Sequence, residues 1–220
     1  MSKPDLFEKS VIEHIQKKVL DILNVSNEFG KGRIAGSPRA VGDVVQSILE
    51  DSFEQCVPAG IISKYEKSFA RRAMADFAFY DHNDNYYIVD NKTHHLETAF
   101  NMPNLTSVER LARFYEDDKN HFILLNISYI PAGTGLSFME CKFVPIEHLM
   151  WDCLTIGALG WGQIQIANAN SIDIDRKQTR KQWMLQLCDQ LDIFYPREIR
   201  KIEERILRFE RIREFWINKP

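Results

Sequence analysis

Apolar residues Leu6, Phe7, Val11, Ile15, Val19, Leu20, Ile22 and Leu23 recur at helical spacing, which predicts an amphipathic helix over 4–24 opened by Pro4 and Asp5. After a Gly-rich, basic stretch over 27–42, a second helical stripe begins with Val41, Val44, Val45, Ile48 and Leu49. At residue 73 the period changes to two. Strands are predicted over 73–80 and 86–93, joined by an Asn/Asp turn at 81–85. A helix over 104–118 and a continuous apolar strand over 121–130 follow, the latter ended by Pro131. Beyond them the pattern predicts a helix over 145–157, a strand over 161–167, and two C-terminal helices within about 179–216 that part near Tyr195 and Pro196. This order implies an α/β chain with a mixed sheet flanked by helices. The stripe Ile202, Ile206, Leu207, Phe209, Ile212 and Phe215 reads most simply as core packing, with a dimer contact as the second reading.

Composition narrows the class. With 220 residues, 45% hydrophobic and 27% charged, the chain is an ordinary folded protein and reads as one domain over 1–220 without internal repeats. A formal net charge of −3 excludes a blanket of positive charge as the means of holding nucleic acid, though not a local basic surface. No run of about 18 apolar residues and no apolar leader is present, so a cytoplasmic protein without membrane contact is expected. Cys56, Cys141, Cys153 and Cys188 are scattered, which suits buried or half-buried thiols better than a metal site.

The chemistry-bearing residues cluster on the predicted hairpin. Asp90 and Lys92 are two apart on a strand and emerge on one face, and Asp76 on the preceding strand can lie beside them. Two converging carboxylates suit Mg²⁺, and an adjacent ammonium can orient water or steady phosphate charge. The acid-x-Lys string alone is weak evidence. About two matches are expected by chance from 31 acidic residues and 14 lysines, and the chain has four, ending at Lys92, Lys119, Lys142 and Lys177. Only the one at Lys92 has a partner acid on an adjoining hairpin strand; Glu140 and Lys142 could share a strand but lack that acid.

Ala75 and Asp76, with the run from Tyr86 through Asp90, Asn91 and Lys92 to Thr93, resemble the active-site hairpin of the PD-(D/E)xK nucleases, in particular the blunt-cutting type II restriction endonucleases of the EcoRV and HincII kind. Met102 to Leu105, Trp161 to Ile166 and Thr179 to Trp183 are similar to later segments of the same branch. The resemblance covers roughly 30–210 in short patches, and Ala75 stands where the family has proline. It implies a restriction-endonuclease-like core in which Asp76 and Asp90 hold Mg²⁺, with Mn²⁺ able to substitute and the Asn91 main chain as a weaker ligand. Lys92 would position or activate the attacking water. An acid or Gln on the preceding helix completes many such sites, which points to Gln46 or, one turn later, Glu50. The products would be a 5′-phosphate and a 3′-hydroxyl. The resemblance further implies a homodimer cutting a palindromic duplex, with a DNA methyltransferase as functional counterpart.

Base reading needs paired donors and acceptors, which Asn and Gln amides supply. Two segments qualify: 100–107, with Asn101, Asn104, Thr106 and Ser107, and 161–170, with Gln163, Gln165 and Asn168. Phosphate contacts are expected from Arg33, Arg39 and Arg180, the last at a helix start. His94 and His95 read as exposed strand-end residues. Two rivals share these features: a structure-specific repair or junction-resolving nuclease, and a non-catalytic DNA-binding protein.

Overall fold

The computed structural model describes residues 4–30, 37–66, 74–133 and 135–220; Arg33 and the first residues of the expected hairpin, 72–73, lie outside them. Instead of one helix over 4–24, a 3₁₀ turn (Asp5–Phe7) precedes α1 (Lys9–Val25), with extended Glu8 between them. The break lets the adjacent Leu6 and Phe7 both be buried. Helix α2 (Pro38–Ser52) starts where Pro38 presets the first turn and Ser37 Oγ accepts the Ala40 N–H at 3.4 Å. Of the expected stripes, Ile15, Val19 and Leu23 of α1 and Val41, Val45 and Leu49 of α2 are buried, joined by Ile12, while Val11, Leu20, Ile22, Val44 and Ile48 are half-buried against the same core.

Both helices cover one face of a five-stranded sheet built from β1 (Ile62–Glu66), β2 (Phe77–Asp81), β3 (Tyr86–His95), β5 (Asn120–Ala132) and β6 (Gly135–Pro145), adjacent in that order. Strands β3 and β5 are parallel and the other pairs antiparallel, so the sheet is mixed, as the element order implies. Alternation sends Tyr87, Val89, Ile123, Leu125 and Phe143 toward α1 and α2, and Ile88, Phe122, Leu124 and Val144 to the opposite face.

That opposite face is covered by a second, three-stranded sheet, by α3 (Val108–Phe114) and by the start of α4 (Arg180–Ile217). The second sheet has the order β4 (Asn104–Ser107), β8 (Gln163–Ile166), β7 (Leu154–Gly157). One expected helix shortens as a result and another is replaced. Residues 104–107 pair with β8 before α3 begins, and 145–157 become two 3₁₀ turns followed by β7. Pairing across β8 satisfies main-chain groups that a helix start would leave open.

The two expected C-terminal helices are one. Thr179 and Gln182 form a reciprocal capping box, and α4 runs through Pro196 to Ile217. Only Trp183 and Leu187 are buried in it. Ile199, Ile202, Ile206 and Phe209 are 50–66% exposed, so this stripe is not core. Cys188 is exposed on the same helix, while Cys56, Cys141 and Cys153 are buried. Among the described residues no helix is long and apolar enough to cross a membrane.

Candidate active site

The β2–β3 register sets Phe77 opposite Val89, and the Asp76 N–H continues the ladder to the Val89 carbonyl at 2.9 Å. Asp76 therefore stands beside Asp90. Its Oδ2 accepts the main-chain N–H of Asn91 at 2.6 Å, which anchors one oxygen and leaves the other for a ligand. Burial pushes the Asp76 carboxyl up, partly offset by the Asn91 amide and by Lys92, while the charge of Glu50 raises it further.

Asp90 is 5% exposed. Lys92 Nζ lies 2.8 Å from its Oδ1 and 2.7 Å from its Oδ2, but only the first contact has hydrogen-bond geometry, so Oδ2 is buried without a hydrogen bond. Burial pushes this carboxyl up to about 7, against the pull of Lys92 and with a further push from Asp76. Two crowded carboxylates, one with a buried oxygen that meets only the Lys92 ammonium and no hydrogen-bond donor in good geometry, form a hard-oxygen site that fits a divalent cation. Among the described residues no group of three or more His, Cys, Asp or Glu side chains gathers tightly enough to ligate a metal. Such a cation would rest on two carboxylates and take its other ligands from water or substrate, which is the habit of Mg²⁺.

On α2, Gln46 and Glu50 share a stripe one turn apart, and Gln46 Nε2 donates to Glu50 Oε1 at 2.8 Å. Glu50 is the member whose charge is felt at Asp76. Asn91 turns its side chain to the α1/α2 face, where its Oδ1 is buried without a partner; its main-chain N–H serves Asp76.

His94 corrects the sequence reading. It is 1% exposed, because β3 continues beneath the turn that follows β8, and its Nε2 lies 2.8 Å from Asn170 Oδ1. Asn170 Nδ2 in turn donates to the carbonyls of Thr98 and Ala99 at 3.0 and 3.3 Å. His95 is half-buried and stacks on Tyr129.

The two expected base-reading segments, some 60 positions apart in the chain, are adjacent strands. Asn104 pairs with Gln165 and Ser107 with Gln163, and Gln165 Nε2 donates to Asn104 Oδ1 at 2.6 Å. Ile164 and Ile166 are buried, so Gln163 and Gln165 occupy the outer face, and Gly157 makes room for Gln165: a Cβ there would meet Gln165 Oε1 at 2.5 Å. Asn101 and Ser107 are half-buried. Thr106 is 4% exposed, which takes its side chain off that surface, and Asn168 Oδ1 is engaged by the Asn170 N–H at 3.1 Å.

Arg39 is exposed on the first turn of α2. Arg180 is not an open phosphate contact. It bridges Glu147 at 3.3 Å, the Asp118 carbonyl at 3.1 Å and His121 Nδ1 at 2.9 Å, and it stacks 4.1 Å from the Tyr115 ring centre. Tyr115 donates to Glu147 Oε2 at 2.7 Å. Burial, then the Arg180 charge, pushes His121 down to about 3, so it stays a neutral acceptor. Sequence reasoning missed this network, because its members come from the end of α3, where Tyr115 caps it, from β5, a 3₁₀ turn and α4. No family model matches the chain, and no curated protein matches it.

Proposed function

We infer that the protein is a type II restriction endonuclease of the PD-(D/E)xK superfamily, a Mg²⁺-dependent enzyme that hydrolyses both strands of a palindromic DNA site to 5′-phosphate and 3′-hydroxyl ends, with blunt cuts. The observation that carries the reading is the anchoring of Asp76 on the Asn91 amide beside the Asp90–Lys92 pair. Bound between Asp76 and Asp90, Mg²⁺ or Mn²⁺ would neutralise phosphate charge and acidify a water. The chain's own residues do the positioning. Asn91 holds Asp76 in one orientation, Gln46 holds Glu50, and Lys92, still 23% exposed in its side chain, is free to turn from Asp90 toward a phosphate oxygen or the attacking water.

The outward amides of Gln163, Gln165 and Asn104 favour sequence reading over recognition of DNA shape alone. A second copy of the chain would supply the two-fold symmetry of a palindrome, and Tyr195, Ile199, Ile202, Ile206 and Phe209 on α4 recur at the spacing of a coiled-coil seam. The reading also implies a partner methyltransferase in a shared, reducing cytoplasm.

The test is to incubate purified protein with long unmethylated DNA, with Mg²⁺ or EDTA, to compare wild type with Lys92→Ala, and to sediment the free protein. Discrete fragments requiring Mg²⁺ and Lys92, from a dimer, are expected. Folded protein that leaves all DNA intact removes the nuclease reading, and heterogeneous ends would transfer it to a structure-specific enzyme.

A further inference from the structure

The face of the five-stranded sheet that carries Asp90 and Lys92 has a polar continuation beyond them. In the β3–β5–β6 register, Lys92 pairs with Asn126 and Asn126 with Lys142; one step on, His94 pairs with Ser128 and Ser128 with Glu140. Alternation sets all six on the side of Ile88, Leu124 and Val144. The Lys92 and Lys142 Cα atoms are thus two strand spacings apart, about 10 Å, with Asn126 between them.

Asn126 is 2% exposed, yet its Oδ1 has no hydrogen-bond partner. Lys142, with 23% of its side chain exposed, is held by Glu140, which is over half exposed. Each lysine therefore rests on the acid two positions before it, and the outer acid can swing into solvent. A buried amide oxygen without a donor is costly, and an ammonium group released from its acid is a donor that can fill it.

The geometry points to a second phosphate-binding position on this floor, formed by Lys142 and Asn126, that takes the DNA phosphate next to the one at Lys92. This rests on the nuclease reading and extends it. When that phosphate arrives, Lys142 exchanges Glu140 for it, while Asn126 Oδ1 accepts from a lysine ammonium and its Nδ2 donates to the phosphate. A lysine on the edge strand β6 also discourages strand pairing, and that role alone predicts no DNA effect.

The experiment titrates wild type and Lys142→Met with a short mixed-sequence DNA duplex in EDTA over a series of salt concentrations, with Lys142→Gln as a second variant should the first fail to fold. Loss of one phosphate contact makes the salt slope shallower by about 0.9, so the wild-type advantage shrinks about 3.5-fold from roughly 50 to 200 mM salt. Glu140→Gln, which releases Lys142, is expected to tighten binding only where Lys142 is present. A wild-type slope in the Lys142 variants overturns the proposal even if the enzyme cuts DNA. The expected slope change in a protein that never cuts DNA keeps the phosphate position and removes the nuclease reading; a wild-type protein that binds no duplex overturns both.

Discussion

Asp76 Oδ2 takes the Asn91 N–H at 2.6 Å, so the residue after one candidate metal ligand orients the other. The hairpin register that joins them also sets how close the two carboxylates stand, and their crowding has consequences for titration.

Asp90 is pushed up to about 7 from its ordinary 3.8. Between those values the folded chain keeps a proton the unfolded chain has lost, so this residue's contribution to stability is full below about pH 4 and declines as pH rises to about 7. Asp90→Asn removes the dependence. In EDTA, the stability of Asp90→Asn relative to wild type is expected to increase by on the order of 1 kcal/mol per pH unit across that window, read by urea unfolding. A difference that stays flat with pH would falsify the assignment of this proton to Asp90. Mg²⁺ should oppose the trend, since a bound cation favours the carboxylate.

Glu50 and Gln46 are separable. Glu50 acts on Asp76 directly, whereas Gln46 acts through Glu50. Glu50→Gln is expected to raise the Mg²⁺ concentration needed for half-maximal cleavage about tenfold or more, and Gln46→Ala to do so by less. The reverse ranking would give the metal-facing role to Gln46.

Arg180 is a structural residue in this fold. Arg180→Ala leaves Glu147 buried without its cation and is expected to cost roughly 2 to 4 kcal/mol of stability, measured by urea unfolding. The salt slope of DNA binding should stay that of wild type. A shallower slope with unchanged stability would return Arg180 to the phosphate contacts.

Gly157 gives a probe of base reading that leaves the core alone. Gly157→Ala must displace the flexible end of Gln165 and little else. Stability is expected to change by less than about 1 kcal/mol while discrimination against one-base variants of the cut site weakens, read by cleavage of a substrate panel. Unaltered discrimination would show that Gln165 does not read bases.

The candidate-site hairpin was legible in the chain because its signal is local. Alternation over 86–93 puts Asp90 and Lys92 on one face of any strand, and an Asn/Asp turn brings Asp76 back beside them. The amide pattern of Gln163 and Gln165 was equally local, as were the buried stripes of α1 and α2.

Nonlocal pairing decided the rest. Nothing near Asn104 announces β8, yet main-chain bonds to it convert a predicted helix start into a strand and join the two amide segments into one surface. Arg180 reads as an open cation at a helix start until Glu147 and Tyr115 arrive from elsewhere, and the apolar stripe of α4 reads as core until the packing leaves it bare. The acid-x-Lys string at Lys142 has no hairpin partner in the sequence for the same reason: strand β5 lies between it and Lys92, and only the sheet register sets both on one row across Asn126. Side-chain periodicity follows from local backbone geometry, so the sequence determines which face a residue takes. What covers that face depends on segments distant in the chain, and that was left to the tertiary structure.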